Sequence, residues 1–218
     1  MDVVFRRFYQ KNKKQIDQFD GLLVNNTVLE RGLVIAPVIA AANTLQNGLV
    51  LGMSFMLITF FAVVVASFVP KALPYAIRVI LYVIVAGLLF IPVSYLMDLM
   101  FPGSVFKVGI FLPLLITNSL IVTKTETRFL KKKRLSMMLD VFSHVLGFFV
   151  VIVLVAALRE LLGNGTLMEH EINIPLKIYG FMLPFGGFIL LGFLAAGVQR
   201  FRLYLHGEPK ARKGGDRS

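Results

Sequence analysis

The chain has 218 residues, 57% of them hydrophobic and only 16% charged, with a net charge of +11 and no cysteine. A soluble domain carries roughly a quarter charged residues, and one this small leaves much of its surface exposed. Composition therefore excludes a water-soluble fold and points to lipid as the solvent. The absence of cysteine excludes disulfides, thiolate metal sites and a cysteine nucleophile.

The positive charge has a telling distribution. Basic residues cluster in Arg6 to Lys14, Lys124 to Arg134 and Arg200 to Arg217, flanking the apolar runs. That is the pattern of cytoplasmic loops in a membrane protein and not of a nucleic-acid-binding face. Met1 to Asp20 is polar and basic for too long to serve as the n-region of a signal peptide, and an uncleaved insertion is expected.

A helix needs about 20 apolar residues to cross the hydrocarbon core, and six segments qualify. The first, Leu22 to Leu45, carries Asn25, Asn26, Glu30 and Arg31 early and is interrupted by Pro37 and Asn43. The second, Leu49 to Val69, is cleanly apolar and ends at Pro70. The third, Leu73 to Leu99, has Arg78 near its start and Pro92 inside. The fourth, Val105 to Val122, is short and broken by Pro113 and Thr117-Asn118-Ser119. The fifth, Ser136 to Leu162, has Asp140 and His144 at its entrance and Arg159-Glu160 at its exit. The sixth, Ile174 to Tyr204, carries Pro184, Gly186 and Gly187 in its first third.

These segments divide the chain into a basic N-terminal stretch (1–20), a six-helix transmembrane domain (21–205) and a basic tail (206–218). With the N-terminus cytoplasmic, Lys71, the Lys131 to Arg134 run and the tail all fall inside. The loop from Gly163 to Asn173, which has Glu169 and Glu171 but no lysine or arginine, falls outside. Both termini are thus expected in the cytoplasm of a prokaryote, the domain lying in its plasma membrane.

The irregular segments are the first and the fourth. Three steps separate them, so the two halves insert in opposite senses. Proline- or glycine-interrupted helices at matching places in two halves mark an inverted repeat with a site near mid-membrane. A faint echo accompanies it: Val28-Leu29-x-x-Gly32-Leu33 before Pro37, against Val105-Phe106-x-x-Gly109-Ile110 before Pro113.

The same residues carry a resemblance. Asn25-Asn26-x-Val28-Leu29, Gly32-Leu33, Pro37-x-x-Ala40-x-x-Asn43-Thr44 and Gly48 through Gly52 resemble the first helix of the Rnf/Nqr integral-membrane electron-transport subunits. Gly109 to Leu114 followed by Thr117-Asn118 is similar to that family's fourth helix. Arg159-Glu160-Leu161-Leu162-Gly163-Asn164-Gly165-Thr166 and Pro184-x-Gly186-Gly187-Phe188-Ile189 resemble its E/D-type member. The match runs in order from about Asn25 to Ala195.

The resemblance implies six helices in two inverted three-helix repeats, the first and fourth broken at mid-membrane. It also implies a sister membrane subunit of opposite topology and flavoprotein partners. In the family a cysteine precedes the proline of the first motif and another follows the Thr-Asn of the fourth, and two subunits together hold an iron–sulfur cluster. Here those positions are Ala36 and Ser119. Such clusters are held by thiolates, so this chain is expected to bind no cofactor alone. Flavin, quinone or other redox groups would sit on partner subunits.

The polar residues inside apolar runs carry two readings each. Asn43, Thr117, Asn118 and Ser119 line a central site, or they satisfy backbone groups freed at the structural breaks Pro37 and Pro113. Glu30, Asp140 and His144 are proton-relay candidates, since ionisable groups at membrane depth are functional by default and an imidazole one turn from a carboxylate can pass a proton. The plainer alternatives are an interfacial Glu30 and an Asp140 paired with the Lys131 to Arg134 run. Arg159-Glu160, where the fifth segment exits, reads as an arginine reaching for the interface with a helix-end contact. Gly163-Asn164-Gly165 is a turn and not a phosphate loop, since no strand precedes it.

Two broad functions compete with the electron-transport subunit: a small-solute transporter, which shares the pattern of broken helices, and a purely structural assembly subunit. The partner is a sister chain or a second copy. No catalytic residue and no metal site stand out.

Overall fold

The computed structural model describes residues 39–206 apart from positions 71, 119, 132, 169 and 173–176, with side chains up to residue 200. Expectations for Glu30, Arg31, Ala36, Pro37 and Ser119 lie outside the described residues.

Among the described residues, four long α-helices follow the second, third, fifth and sixth apolar segments, and two single-turn helices belong to the fourth. The first, α1, covers Leu45–Ala66; Thr44 caps it in an extended conformation, its hydroxyl accepting from the Asn47 amide. Helix α2 covers Tyr75–Met100, with Pro92 inside. Two single-turn helices, α3 (Ser104–Val108) and α4 (Thr125–Thr127), bracket the irregular fourth segment. Helix α5, Arg134–Asn164, ends on Gly165 in the left-handed conformation at φ 69°, the usual glycine stop. A two-residue hairpin, β1 (Thr166–Leu167) paired with β2 (His170–Glu171), follows it. Helix α6 covers Pro184–His206.

The sixth segment corrects the reading from Ile174. Residues Tyr179–Met182 form a 3-10 turn, Leu183 is extended (φ −78°, ψ 157°), and the helix starts at Pro184. Proline drives its predecessor out of the helical region and suits the first helical position. Pro184 therefore begins the helix rather than interrupting it.

The fourth segment is broken, as expected, but over a longer stretch than Val105 to Val122. After α3, Gly109 turns at φ 56°, a value favouring glycine, and two 3-10 turns run over Gly109–Phe111 and Pro113–Thr117. Asn118 is extended, and a π-helical turn covers Leu120–Lys124. The arms Ser104–Phe111 and Pro113–Lys131 are bent by 43°.

Helices α1, α2 and α5 are each long and apolar enough to cross a membrane, and the bent pair adds a fourth candidate span. In α1 and α5, 56% of the apolar window is buried within the protein, against 17% in α2. Helices α1 and α5 therefore form the centre of the fold and α2 its periphery. The central pair packs closely because Gly48 and Gly52 have no side chain. A Cβ on Gly48 would lie 2.5 Å from the Ala156 Cβ, and one on Gly52 would lie 2.7 Å from Phe149. Small residues four apart let helix backbones approach in this way. Deeper along the same seam Phe55 stacks on Phe148 with ring centroids 3.9 Å apart.

The start of α1, the start of α3, the end of α5 and the β1–β2 hairpin share one end of the bundle. The turn after α1, the start of α2, α4 and the start of α5 share the other. Successive spans thus alternate in direction.

Candidate functional site

Three polar zones interrupt this apolar fold, one at each end and one at the break. At the α1 end, adjacent residues of α5 take opposite tasks. Arg159 is fully buried, and its guanidinium donates to the carbonyls of Ile39 (2.6 Å), Ala42, Phe181, Met182 (2.8 Å) and Leu183. Its fork thus satisfies carbonyls from two separate stretches of chain, one before α1 and one before α6. It does not reach for the interface as its place in the sequence suggests, because those carbonyls converge on it inside. Glu160 accepts from the Leu45 amide at 2.7 Å and from the Thr166 hydroxyl at 3.1 Å. A carboxylate at a helix N-terminus meets free amides and the positive end of the helix dipole.

Asn43 lies in the turn before α1, its side-chain oxygen accepting from Asn47 Nδ2 at 2.9 Å. With Thr44, Gln46, Asn47, Lys107, Glu160 and Met168 it lines a cavity of about 320 Å³.

The second zone is the break itself. Asn118 is buried, and its side chain uses every hydrogen-bonding valence. Nδ2 donates to Thr59 Oγ1 (3.1 Å) and to the Leu115 carbonyl (2.6 Å), while Oδ1 accepts from the amides of Leu120 and Ile121. It closes the turn before it and caps the turn after it, so the interrupted backbone stays satisfied. Thr117 beside it is half-buried. Asn43 and Asn118 stand apart: Asn118 meets α1 at Thr59, roughly 20 Å along the helix axis from its start near Asn43.

The third zone gathers charge at the opposite end. Arg78 Nη2 lies 3.1 Å from Glu126 Oε2, and the Tyr82 hydroxyl donates to Glu126 Oε1. Arg128 grips Asp140 with two bonds of 2.8 Å, a bidentate geometry. Asp140 thus pairs with Arg128, just ahead of the Lys131 to Arg134 run, because α4 turns residue 128 back over the start of α5. His144 Nδ1 lies 2.8 Å from the Asp140 carbonyl. A carbonyl only accepts, which places the proton on Nδ1 and a lone pair on Nε2. That Nε2 is buried without a hydrogen-bond partner, and Phe129 packs edge-on to the ring. Lys124 is also buried in this zone. Neither Lys124, Glu126 nor Arg128 stood out in the sequence, where they look like a solvated basic loop. Only the fold turns them inward.

The sequence profile of the Rnf-Nqr subunit, a membrane protein, matches residues 17–195. The chain belongs to the Rnf-Nqr subunit family. It is 32% identical over 193 residues to the E-type subunit of the ion-translocating oxidoreductase complex of Shewanella oneidensis, covering 82% of this chain and 83% of that one. The corresponding subunit of Vibrio cholerae is 31% identical over 200 residues, 85% of this chain and 87% of the relative. That of Aliivibrio fischeri is 32% identical over 192 residues, 81% and 85%. Together with the apolar helices, membership makes the protein an integral membrane protein.

The donor chemistry of this Rnf-Nqr chain does not fit an iron–sulfur cluster of the family type. There is no cysteine anywhere in the sequence. At the fourth-segment break the polar atoms present are oxygen and nitrogen, and those of Asn118 are already committed to the protein. No group of three histidine, cysteine, aspartate or glutamate side chains suited to a metal occurs among the described residues. Thiolates are what such clusters require.

Proposed function

We propose that the chain is the E-type membrane subunit of an Rnf/Nqr-like electron-transport complex and contributes no iron–sulfur ligands of its own. The observation that carries this reading is a match from end to end of the apolar region, with relatives named as the E-type subunit covered over more than four-fifths of their length. Its closest physical support is the break at Asn118, which keeps the bent fourth segment although the thiol beside it is lost. On this reading six transmembrane segments form two inverted repeats, both termini lie in the cytoplasm, and the host membrane is a prokaryotic plasma membrane. A sister membrane subunit of opposite topology stands beside the chain, and flavoprotein subunits hold the redox groups.

Asn43, Thr117, Asn118 and Ser119 are then the polar candidates for a central site, with Pro37 and Pro113 setting the breaks. Glu30, Asp140 and His144 remain the groups able to hold a proton in the apolar zone. The saturated bonds of Asn118 also favour a second reading, an assembly subunit with no part in the redox chemistry.

Mild-detergent purification from native membranes tests the main reading. A sister membrane chain and at least one flavin-containing subunit should co-elute stoichiometrically. A chain that runs alone, with no flavin, haem or quinone nearby, would rule the complex out. An intact complex whose electron transfer survives Asn118→Ala would favour the assembly role.

A further inference from the structure

The charged end of the bundle holds more positive charge than its own acids balance. The described carboxylates there are Glu126 and Asp140, and each is taken. Arg78 lies 3.1 Å from Glu126, and Arg128 grips Asp140 through both oxygens. At the surface stand Lys131, Lys133 and Arg134, all exposed. No carboxylate among the described residues pairs with any of these three.

Their surroundings are apolar. Phe68, in the turn after α1, is 66% exposed, and Leu135, in the first turn of α5, is 72% exposed. The Arg134 guanidinium carbon stands over the Phe68 ring, 4.9 Å from its centre. This contact ties the charge to a place between the ends of two membrane-crossing helices. Arginine presents a fork of N–H donors that matches a phosphate bidentately. A soluble acidic protein would answer the cations and leave the ring and the leucine unmatched. A phospholipid answers both, with its phosphate against the cations and its acyl chain against Phe68 and Leu135. Basic side chains beside the ends of spanning helices lie at headgroup depth, where they attract anionic lipid.

We propose that Lys131, Lys133 and Arg134, with Phe68, form a binding site for the headgroup of an anionic phospholipid. The site needs only the membrane placement of α1 and α5. It depends neither on the electron-transport reading nor on which leaflet this end faces.

The test uses the full chain in mild detergent with an equimolar mixture of phosphatidylglycerol and phosphatidylcholine, the retained lipid being counted by native mass spectrometry. The wild-type chain should keep phosphatidylglycerol in preference. A basic side chain near an anionic surface is worth about fivefold, so Arg134→Gln should cut the preference roughly fivefold. Changing Lys131, Lys133 and Arg134 together to glutamine should bring it to parity. Phe68→Leu, which keeps every charge, should also lower it. Lys177→Gln, an exposed lysine near Gly165 at the opposite end, should leave it unchanged. Raising salt on the wild type, which needs no variant to fold, should erase the preference because the charges are exposed. Equal retention of the two lipids by the wild-type chain, or a preference unmoved by salt, would overturn the proposal. So would an equal fall with Lys177→Gln, which would mean diffuse attraction by net charge. Displacement of the lipid by inorganic phosphate at matched concentration would assign the patch to a free anion instead. Variants that keep the wild-type lipid preference but lose a soluble subunit from the purified complex would assign it to a protein. Redox activity plays no part in the lipid count, so its failure is distinct from failure of the complex to assemble.

Discussion

Asn118 shows how a single amide can hold an interrupted membrane segment together. Proline and glycine free backbone groups between Gly109 and Leu120, and water is not at hand to satisfy them. The side chain takes two amides and one carbonyl, and it ties the segment to α1 through Thr59. Asn118→Ala orphans several of these at once. With roughly 1–3 kcal/mol for each buried group left unpaired, the loss should be of order 3 kcal/mol in detergent unfolding. Thr59→Val removes one acceptor and should cost about 1 kcal/mol. Because the two residues share a bond, their double variant should lose less than the sum; strict additivity would mean that the Thr59 contact contributes nothing. The asparagine was legible in the sequence as a residue beside a break. Its saturation was not, because Thr59 lies far away along the chain.

At the scale of elements, the seam between α1 and α5 rests on glycine where α1 meets Ala156. Gly48→Ala puts a methyl group 2.5 Å from the Ala156 Cβ. Overpacking of this kind costs typically about 1–3 kcal/mol, and a lowered thermal midpoint is expected. Ala156→Gly in the same chain should recover most of that loss, although glycine inside a helix is itself unfavourable by about 1 kcal/mol. No recovery would place the strain elsewhere. The adjacent pair Arg159-Glu160 works at this scale too, since one turn of α5 holds the chain before α1, the first turn of α1 and the entry to α6. Sequence position alone suggested an interfacial arginine, for nothing local reveals which carbonyls converge on it.

For the whole molecule, alternating spans put the β1–β2 hairpin and the turn after α4 at opposite ends. The chain has no cysteine, so one introduced thiol can be labelled without background. A membrane-impermeant reagent should modify Met168→Cys in intact cells and leave Lys131→Cys untouched, with the reverse in inverted vesicles. Labelling of both from one side would refute the topology, and the converse pattern would reverse its orientation. The broad apolar face of α2, with Ile80, Ile84, Leu88 and Ile91 exposed, belongs against lipid or a neighbouring protein, since water is excluded by composition.

The sequence by itself determined the solvent, the family and the long apolar helices α1, α2 and α5. Each follows from quantities local to a stretch of chain: apolar run length, the prolines and glycines that stop a helix, and ordered motifs. The absence of any thiol was equally plain, because a missing cysteine needs no fold to be seen. Only the tertiary structure decided what the polar residues touch. It turned Arg128 onto Asp140, buried Lys124, gave Arg159 its five carbonyls and left Asn47 facing a cavity. Those pairings join residues distant in sequence, and the energy that selects them is the cost of an unpaired polar group in an apolar interior. That cost depends on which segments meet, and no local pattern records it.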